Sequence, residues 1–276
     1  MLPKAETLST SHGAISLADS GGSGPAVLMI HGNSARKEIF RHQFDPALTA
    51  RYRLLAFDLP GHGESADAAD PRRSYTLMGY ADLAAEILAM RGIAKATVLG
   101  WSLGGHIGIE MINQAKVALS GLLITGTPPV PNDVAVIGKA FHPSPVMDLT
   151  GAAEFSDADA ELYCKHTCGL AVPLDPLIVA GYKRTHGLSR TTMFESFTGL
   201  EVPDQAAVVA GTEVPVAVIS GGDESFVNND YLGRCRYGNL WRGTVFLLPG
   251  VGHAPFWEAP PRFNPLFAAF LGEVAG

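Results

Sequence analysis

The sequence contains few cysteines. Its three cysteines, Cys164, Cys168 and Cys235, are too few and odd in number for a disulfide framework. The first residues, MLPKAETLSTSHG, carry neither an apolar signal segment nor a small-residue cleavage site. Free thiols without a secretion signal are typical of a reducing compartment. The sequence therefore predicts a cytoplasmic protein.

Long apolar runs and basic clusters are also absent. No stretch approaches the roughly 18 to 20 apolar residues that span a bilayer, so no membrane insertion is expected. The 20 Lys and Arg residues are scattered among 27 Asp and Glu residues, which argues against nucleic acid and anionic membrane surfaces as partners. With 47% hydrophobic residues, the 276-residue chain is sufficient for one large α/β domain, with or without an insertion.

Short apolar runs bounded by Gly, Pro or charged residues predict a buried sheet. The runs are apolar at odd and even positions, as expected for strands covered on both faces of a parallel sheet. The N-terminal segment ETLSTSHGAISLADS predicts two antiparallel strands that turn at His12 and Gly13. Helical spacing over 80–88 and 263–274 predicts helices on the faces of the sheet. The six further strands are predicted at 26–31, 54–58, 96–100, 121–125, 215–220 and 244–248.

The strand–helix alternation is interrupted in the second half of the chain. No strand-like run occurs there for some seventy residues, and Ser156 with Asp159 forms a capping box, which marks a helix start. We interpret this stretch as a helical cap inserted after the sixth strand. The predicted organisation is an α/β core over 1–127 and 200–276, with a helical cap over 128–199.

Two polar residues followed by proline predict further helix starts. Asp175 precedes Pro176, and Asn264 precedes Pro265. Proline is favoured at the first helical position because the N–H it lacks has no intrahelical acceptor there. We therefore predict helices that begin at Pro176 and at Pro265.

The apolar run ATVLG leads into a pattern typical of a nucleophile elbow. Residues Gly100, Trp101, Ser102, Leu103 and Gly104 form G-x-S-x-G between a predicted strand and a helical pattern. Small residues flank the serine because the turn is tight. The turn presents the serine hydroxyl above the strand ends, beside the positive end of the next helix. Ser102 is thus the predicted nucleophile, and a glycine-rich turn that binds phosphate is the alternative.

A serine nucleophile needs a base within hydrogen-bond reach. Among nine histidines, His253 is the candidate because it lies in the loop PGVGHAP, after the last predicted strand and after the serine. Two acids, Asp223 and Glu224, follow another predicted strand. Successive side chains of an extended segment point to opposite faces, so both acids cannot orient His253. The residues by themselves leave the choice open.

A tetrahedral intermediate needs two N–H donors for its oxyanion. In an elbow of this type the residue after the nucleophile, Leu103, supplies one. The first strong strand ends in His31, Gly32 and Asn33, where Gly32 permits a tight turn, and Asn33 is the predicted second donor. An ordinary strand-to-loop turn at this place would leave the oxyanion hole with one donor.

With these motifs the sequence resembles the α/β-hydrolase superfamily along nearly its whole length. MIHGNS, DLPGHGES, GWSLGG, GGDE and GHAPFWEAP occur in family order, and the order serine, acid, histidine is not that of chymotrypsin or subtilisin. More narrowly, HGNSARKEIF, GWSLGGHIGIEMI and GNLWRGTVFLLPGVGHAPF look like the α/β-hydrolase type of N-acyl homoserine lactonase. Those enzymes open the lactone ring of bacterial quorum-sensing signals. The resemblance implies an α/β-hydrolase fold, with a mostly parallel central sheet flanked by helices and a helical cap.

The resemblance also implies site residues and a substrate. In many family members the acid lies three residues after the glycine that ends its strand and two before an apolar pair. Counting from Gly221 and from Phe226 selects Glu224. The segment ELYCKHTCG matches a cap helix whose tyrosine gates the pocket, which assigns that role to Tyr163. The implied activity is quorum quenching: hydrolysis of a small-molecule lactone by a Ser-His-Glu triad, without metal or other cofactor.

Metal ligands are not expected in this sequence. Metal-dependent lactonases use an H-x-H-x-D-H cluster, and His62 has no second histidine two residues further on. Cys164 and Cys168 share a face of a predicted helix, but His166 lies about 200° around the helix from Cys164 and points away. We therefore predict buried free thiols rather than a zinc site.

Other functions are compatible with the same motifs. A general carboxylesterase, or a lactonase for a larger lactone, is the first alternative. Haloalkane dehalogenases and epoxide hydrolases carry aspartate at the elbow, so the serine argues against them, and nothing in the cap suggests a carbon–carbon bond hydrolase. The last alternative is a non-catalytic ligand receptor on the same fold. Failure of a fluorophosphonate probe to label Ser102 would favour that receptor.

Overall fold

Eight strands form one sheet in the computed structural model, which describes residues 2–275. The predicted core extends to residues 1 and 276, which lie outside the described residues. All eight predicted strands are present, and the last begins at Leu240 rather than at residue 244. The strands are β1 (Glu6–Thr10), β2 (Gly13–Asp19), β3 (Ala26–Ile30), β4 (Arg53–Phe57), β5 (Lys95–Trp101), β6 (Ala118–Thr125), β7 (Val216–Gly221) and β8 (Leu240–Leu248).

The sheet is mostly parallel, with the order β1-β2-β4-β3-β5-β6-β7-β8. The N-terminal hairpin at one edge is antiparallel, and every pair from β4 to β8 is parallel. Ile30 of β3 pairs with Gly100 of β5, which in turn pairs with Ile124 of β6. The carboxyl ends of three neighbouring strands therefore lie side by side. Open α/β sheets bind their ligands at this edge.

Helices flank the sheet, as predicted. Within residues 2–275, none of them has the length and apolar character of a membrane-spanning segment. Two short 3₁₀ segments, Lys37–Phe40 and Leu149–Gly151, supplement the α-helices. The α-helices are α1 (Pro46–Thr49), α2 (Pro71–Ser74), α3 (Leu77–Met90), α4 (Leu103–Gln114), α5 (Val134–Ala140), α6 (Pro145–Asp148), α7 (Asp157–Cys168), α8 (Pro176–Arg184), α9 (Gly187–Thr198), α10 (Gln205–Gly211), α11 (Asn229–Arg234), α12 (Pro255–Glu258) and α13 (Pro260–Val274).

Helix α3 illustrates how local pattern becomes packing. The side chain of Thr76 accepts a hydrogen bond from the N–H of Gly79 and so begins the helix. Tyr80, Leu83 and Ile87 recur at helical spacing, and each is fully buried. Burial of a side chain of this size stabilises the fold by roughly 1.5–3 kcal/mol. The predicted helix over 80–88 is confirmed.

The chain between β6 and β7 forms the six helices α5 to α10. The predicted capping box is present at α7, where the N–H of Asp159 donates to Oγ of Ser156 over 3.1 Å and the N–H of Ser156 donates to Asp159 over 2.9 Å. At α8, Asp175 is the N-cap and Pro176 the first helical residue, also as predicted. Helix α10 lies beyond residue 199. The division at residues 127 and 199 into core and cap stays a prediction.

A buried arginine holds the helices of this region together. Arg190 of α9 is 2% exposed, and its guanidinium donates to the carbonyls of Ala152 and Thr185 over 2.6 and 3.1 Å. The same group lies 4.0 Å from the centre of the Phe155 ring. Carbonyl acceptors and an aromatic face together compensate the cost of removing this cation from water. One side chain thereby joins α9 to the segment that precedes α7.

The last helix begins earlier than predicted. It starts at Pro260, and Pro265 lies inside it, so the predicted start at Pro265 was wrong. Proline at the first position costs no hydrogen bond, whereas Pro265 costs the helix one bond. The predicted cap residue, Asn264, instead donates through Nδ2 to the carbonyl of His42 and accepts from Gln43, each over 2.9 Å. Its side chain ties α13 to a neighbouring segment.

Candidate active site

Ser102 lies in a strained turn between β5 and α4. Its backbone angles, φ 54° and ψ −118°, are rare for a residue with a side chain. Two hydrogen bonds hold the turn: the N–H of Ser102 donates to the carbonyl of Thr125 over 2.9 Å, and Oγ1 of Thr127 donates to the carbonyl of Ser102 over 2.8 Å. Backbone strain of this kind persists where the surroundings over-determine it, often at functional sites. The half-buried serine is thus held at the carboxyl edge of the sheet.

The two outer glycines of the G-x-S-x-G pattern are required by close backbone approach. A Cβ at Gly100 would lie 2.3 Å from the carbonyl oxygen of Gly104, and a Cβ at Gly104 would lie 1.9 Å from that of Ile30. Any other residue would push α4 away from β3 and β5. The sequence pattern therefore predicted the local structure of this turn.

His253 lies in the loop between β8 and α12, and its ring contacts a carboxylate. Nδ1 is 2.9 and 2.8 Å from Oε1 and Oε2 of Glu224. The side chains of His253 and Glu224 are 3% and 0% exposed. Because a carboxylate accepts, Nδ1 carries the hydrogen, and a neutral imidazole then has its lone pair on Nε2. The N–H of Phe226 donates to Oε1 of Glu224 over 2.9 Å and fixes the carboxylate.

The neighbouring acid points elsewhere. Asp223 is exposed, and its carboxylate accepts from the N–H of Gly250 over 3.3 Å. Its own N–H donates to the carbonyl of Val251 over 2.9 Å. The structure therefore brings Glu224, and not Asp223, to His253.

The backbone N–H groups of Asn33 and Leu103 are available as donors. Among the backbone hydrogen bonds of the described loops and turns, neither group has an acceptor. Leu103 is the first residue of α4, and the first N–H groups of a helix have no acceptor within it. The side chain of Asn33 donates to the carbonyl of Thr150 over 2.9 Å, which links this loop to the segment before α7.

A buried ion pair anchors the loop that carries Asn33. Nζ of Lys37 lies 2.9 Å from Oδ2 of Asp58, and these side chains are 1% and 0% exposed. The N–H of Lys37 also donates to Oδ1 of Asp58 over 2.7 Å. Nearby, the N–H of Leu59 donates to Nε2 of His31 over 3.0 Å. These bonds join the loop after β3 to the loop after β4, and loss of the Lys37 charge would leave the Asp58 carboxylate buried without a paired cation.

A cavity of about 240 Å³ unites most of the predicted site residues. Ser102, His253, Asn33, Leu103 and Tyr163 all line it, and the carboxylate that contacts the histidine lies behind the imidazole. The nucleophile candidate, the base candidate and two free N–H donors therefore converge on one space. Such convergence of a nucleophile, a base and oxyanion donors is the arrangement that acyl transfer requires.

The remaining cavity wall is largely apolar. Tyr163 is 4% exposed, its hydroxyl is 3.2 Å from Oγ1 of Thr150, and its ring meets that of Phe226 edge-on. A gating role for Tyr163 stays a prediction. The other large apolar residues of the wall come from the segment between β6 and β7: Ile137, Phe141, Met147, Met193, Phe194 and Phe197.

Residues 27–266 match the α/β hydrolase family. The chain belongs to the α/β-hydrolase family. The fold of its sheet and the strand–elbow–helix unit at Ser102 agree with this membership. Several solved and curated proteins show how this hydrolase relates to others.

Crystal structures of the N-acyl homoserine lactonase AidH are similar over nearly the whole chain. AidH complexed with N-butanoyl homoserine is 44% identical, with a TM-score of 0.92, covering 97% of this chain and 96% of that chain. An AidH variant in which a glutamate is replaced by glycine, complexed with N-hexanoyl homoserine, gives 43% identity and a TM-score of 0.94, covering 98% and 97% of the two chains. A pimeloyl-[acyl-carrier protein] methyl ester esterase of Nitrosomonas europaea is 26% identical over 90% of this chain and 96% of its own.

His106 lines the cavity of this hydrolase and contacts Gln205, and sequence analysis singled out neither residue. His106 lines the cavity, and Nδ1 lies 2.7 Å from Oε1 of Gln205. His106 lies two residues after the elbow motif, and that position could have drawn attention to it. Gln205 is far from any motif in the sequence, and only packing brings it to the site.

Glu258 is a third residue that sequence analysis did not identify, although it lies in the quoted segment GHAPFWEAP. Its carboxylate accepts hydrogen bonds from the N–H groups of Gly252 and Ala254, over 3.0 and 3.4 Å, on either side of His253. It also accepts from the N–H of Ala171, which follows α7, over 3.2 Å. Burial raises the pKa of this carboxyl. Glu258 therefore fixes the backbone of the histidine loop and ties it to the segment after α7.

Glu258→Gln is expected to lower kcat by about 10- to 100-fold and to leave KM nearly unchanged. The amide keeps the volume of the carboxylate but turns one acceptor into a donor that faces backbone N–H groups. This repulsion displaces the histidine loop, and a small displacement of a catalytic group lowers kcat by a factor of this size. Steady-state kinetics with a hydrolysed substrate measure both constants. Glu161→Gln, at an exposed site on α7, is the matched control. An unchanged kcat in a folded Glu258→Gln enzyme would contradict the positioning role.

Cys164 and Cys168, the two thiols considered above as zinc ligands, have no third metal-ligating side chain beside them within the described residues. Sγ of Cys164 lies 3.6 Å from Sγ of Cys168, and both thiols are buried. The contact with Cys168, together with burial, raises the pKa of the Cys164 thiol. No group of three or more His, Cys, Asp or Glu side chains placed to hold a metal ion occurs within residues 2–275.

Proposed function

We propose that this hydrolase opens the lactone ring of N-acyl homoserine lactones, with Ser102, His253 and Glu224 as its catalytic triad. The observation that carries the proposal is the carboxylate–imidazole contact of 2.8 Å at a cavity that Ser102 also lines. The 44% identity to AidH over 97% of the chain supports the substrate class. Ring opening would destroy an acylated signal, which is quorum quenching. The odd number of cysteines supports action in the cytoplasm.

Two AidH complexes support a serine-dependent reaction. AidH itself is complexed with N-butanoyl homoserine, a compound whose ring is open. A variant of AidH in which a serine is replaced by glycine is complexed with N-hexanoyl homoserine lactone, whose ring is intact. This is the distribution expected when a serine opens the ring. We assign the corresponding role in this chain to Ser102.

In the acylation step, Oγ of Ser102 attacks the lactone carbonyl while Nε2 of His253 takes its proton. Glu224 keeps the other ring nitrogen protonated and stabilises the imidazolium that forms. The N–H groups of Asn33 and Leu103 donate to the oxyanion of the tetrahedral intermediate. The bond from the carbonyl carbon to the ring oxygen then breaks, and His253 returns its proton to that oxygen.

In the deacylation step, His253 removes a proton from water, which attacks the acyl-enzyme carbonyl. The ester bond to Ser102 breaks, the serine regains its proton, and N-acyl homoserine leaves. The alcohol released in the first step stays tethered to the acyl group, so ring closure competes with hydrolysis. Prompt access of water to the acyl carbonyl is therefore part of the function. These steps use the side chains and backbone of the chain and require no metal.

The apolar wall of the cavity is the proposed site of the acyl chain. Phe141, Met193 and Phe197 provide surface for an alkyl group, and Tyr163 gates access to the nucleophile. A cavity of about 240 Å³ suits a small molecule rather than a polymer. The helical cap over 128–199 thus selects the substrate, while the α/β core supplies the chemistry.

A carboxylesterase acting on another ester or a larger lactone is the second candidate. The 26% identity to the pimeloyl-[acyl-carrier protein] methyl ester esterase over 90% of the chain favours it. The triad mechanism is the same, and the candidates differ in the alcohol that leaves. Only the substrate panel separates them.

A lactone panel read with a pH indicator tests the proposal, because ring opening creates a carboxylic acid. We expect kcat/KM for acyl homoserine lactones to exceed that for p-nitrophenyl esters of the same acids by at least about tenfold, the scale of one well-placed contact. Enzyme treated with EDTA is expected to retain the rate. A strong preference for the aryl esters would favour the carboxylesterase, and loss of activity with EDTA would contradict metal independence.

A further inference from the structure

His106 is a polar residue in the apolar part of the cavity. It lies one helical turn after the nucleophile, since its N–H donates to the carbonyl of Ser102 over 3.2 Å. The residue is 7% exposed, and its ring packs against the rings of Phe141 and Phe197, with centroids 6.5 and 5.1 Å away. An imidazole placed between apolar side chains on this wall has no role in the proposed triad.

The contact with Gln205 determines the tautomer of this imidazole. With the Gln205 amide oriented as in the structure, its Oε1 lies 2.7 Å from Nδ1 and its buried Nε2 has no hydrogen-bond partner. A carbonyl oxygen only accepts, so in this orientation Nδ1 carries the hydrogen. Gln205 is fully buried, and its N–H donates to the carbonyl of Val130 over 3.0 Å, which fixes its backbone. Burial lowers the pKa of His106 to about 4, so the ring is neutral near pH 7. The lone pair is therefore on Nε2.

Nε2 of His106 faces accessible space. Among the side-chain hydrogen bonds of residues 2–275, this atom has no partner. It is also not among the fully enclosed polar atoms without a partner, so part of its surface is accessible. The accessible space beside this residue is the cavity, and Phe141, Met193 and Phe197 make the surrounding wall apolar. A single hydrogen-bond acceptor in an apolar wall favours a ligand that carries a hydrogen-bond donor opposite that acceptor.

We propose that Nε2 of His106 accepts a hydrogen bond from a hydroxyl group on the acyl chain, so that hydroxyacyl substrates are preferred. The inference rests on the proposed function, because it takes the acyl group to occupy this wall. An acyl chain with an oxo group places its carbonyl oxygen, an acceptor, against Nε2, which is also an acceptor. An unsubstituted acyl chain leaves Nε2 buried without a partner. Sites built to bond a substrate hydroxyl discriminate strongly against analogues that lack it.

The test compares three homoserine lactones of equal chain length, namely N-(3-hydroxyoctanoyl), N-(3-oxooctanoyl) and N-octanoyl. Wild-type enzyme is expected to show kcat/KM about 10- to 100-fold higher for the hydroxyl substrate than for either other lactone. In His106→Phe, which keeps an aromatic ring in the wall, the ratios are expected to fall to about one. Wild-type ratios near one, or equal losses for all three substrates in His106→Phe, would overturn the proposal.

A second variant keeps the imidazole and frees its tautomer. Gln205→Leu removes the acceptor at Nδ1, so Nε2 can carry the hydrogen and donate to an oxo group. The ratio of hydroxyl to oxo substrate is expected to fall at least about fivefold, mainly through KM of the oxo lactone. An unchanged ratio in a folded Gln205→Leu enzyme contradicts the tautomer assignment and with it the proposal.

The same comparison with p-nitrophenyl esters of the three acids separates this inference from the proposed function. If the esters are hydrolysed and the lactones are not, the lactonase function fails, while a hydroxyl preference among the esters still supports the role of His106. If the lactones are hydrolysed without a hydroxyl preference, the inference fails and the proposed function stands.

Discussion

Replacing Ser102 with alanine is expected to lower kcat/KM for an acyl homoserine lactone by at least about four orders of magnitude. Without Oγ no acyl-enzyme forms, and only the oxyanion donors and the bound geometry remain to accelerate attack by water. The variant should fold, because the small side chain still fits a turn held by Thr125 and Thr127 through the serine backbone. The pH-indicator assay measures the rate, and labelling by a fluorophosphonate probe measures the nucleophile directly.

Ser120→Ala is the matched control for this experiment. Ser120 lies on β6, and its hydroxyl pairs with that of Thr97 over 2.9 Å, away from the cavity. Its variant is expected to keep full labelling and a rate within about twofold of wild type. A Ser102→Ala enzyme with the wild-type rate would exclude the triad mechanism. Failure of the wild-type enzyme to react with the probe would favour a ligand receptor on this fold.

Glu224→Gln is expected to lower kcat by about 10³- to 10⁴-fold. The amide matches the carboxylate in shape but lacks the charge that stabilises the imidazolium, and it can bond the wrong tautomer of His253. Both carboxylate oxygens lie within 2.9 Å of Nδ1, so the substitution acts directly on the proposed base. Steady-state kinetics at a fixed pH measure the loss, and circular dichroism verifies the fold.

Asp223→Asn provides the comparison within the same loop. Asp223 is exposed, and the contact of its side chain with the N–H of Gly250 is kept by the amide oxygen. Its variant is expected to retain the rate within about threefold. The opposite pattern, a crippled Asp223→Asn enzyme and an active Glu224→Gln enzyme, would assign the role to the other acid.

Much of the fold was predictable because its determinants are local. Each strand is a short apolar run, and the capping box at Ser156 and the proline at Pro176 mark their helices through contacts within one turn. The start of α13 was mispredicted because Asn264 and Pro265 form the local pattern of a helix start, a polar N-cap residue followed by proline, inside a helix that begins at Pro260. Tertiary contacts of Asn264 with His42 and Gln43 outweigh it.

The chemistry at the site was also visible in part. The strained turn at Ser102 needs glycine on both sides, so a steric requirement leaves a pattern in the sequence. The choice between Asp223 and Glu224 could not be made from alternation alone, because alternation separates the two acids without showing which one faces the histidine. The contact between Glu224 and His253 joins side chains 29 positions apart.

The sequence by itself determined the eight strands along the chain, several of the helices, the elbow and the identities of the candidate nucleophile and base. These follow from hydrophobic periodicity and from turns in which backbone sterics select the residue. Only the tertiary structure decided which groups support the residues that line the cavity: it brings Gln205 to His106 across 99 positions and places Glu258 against both neighbours of His253. Such contacts arise when helices and loops pack on the sheet. A buried polar group needs a hydrogen-bond partner, but that partner can come from any position in the sequence, so no local pattern encodes the contact.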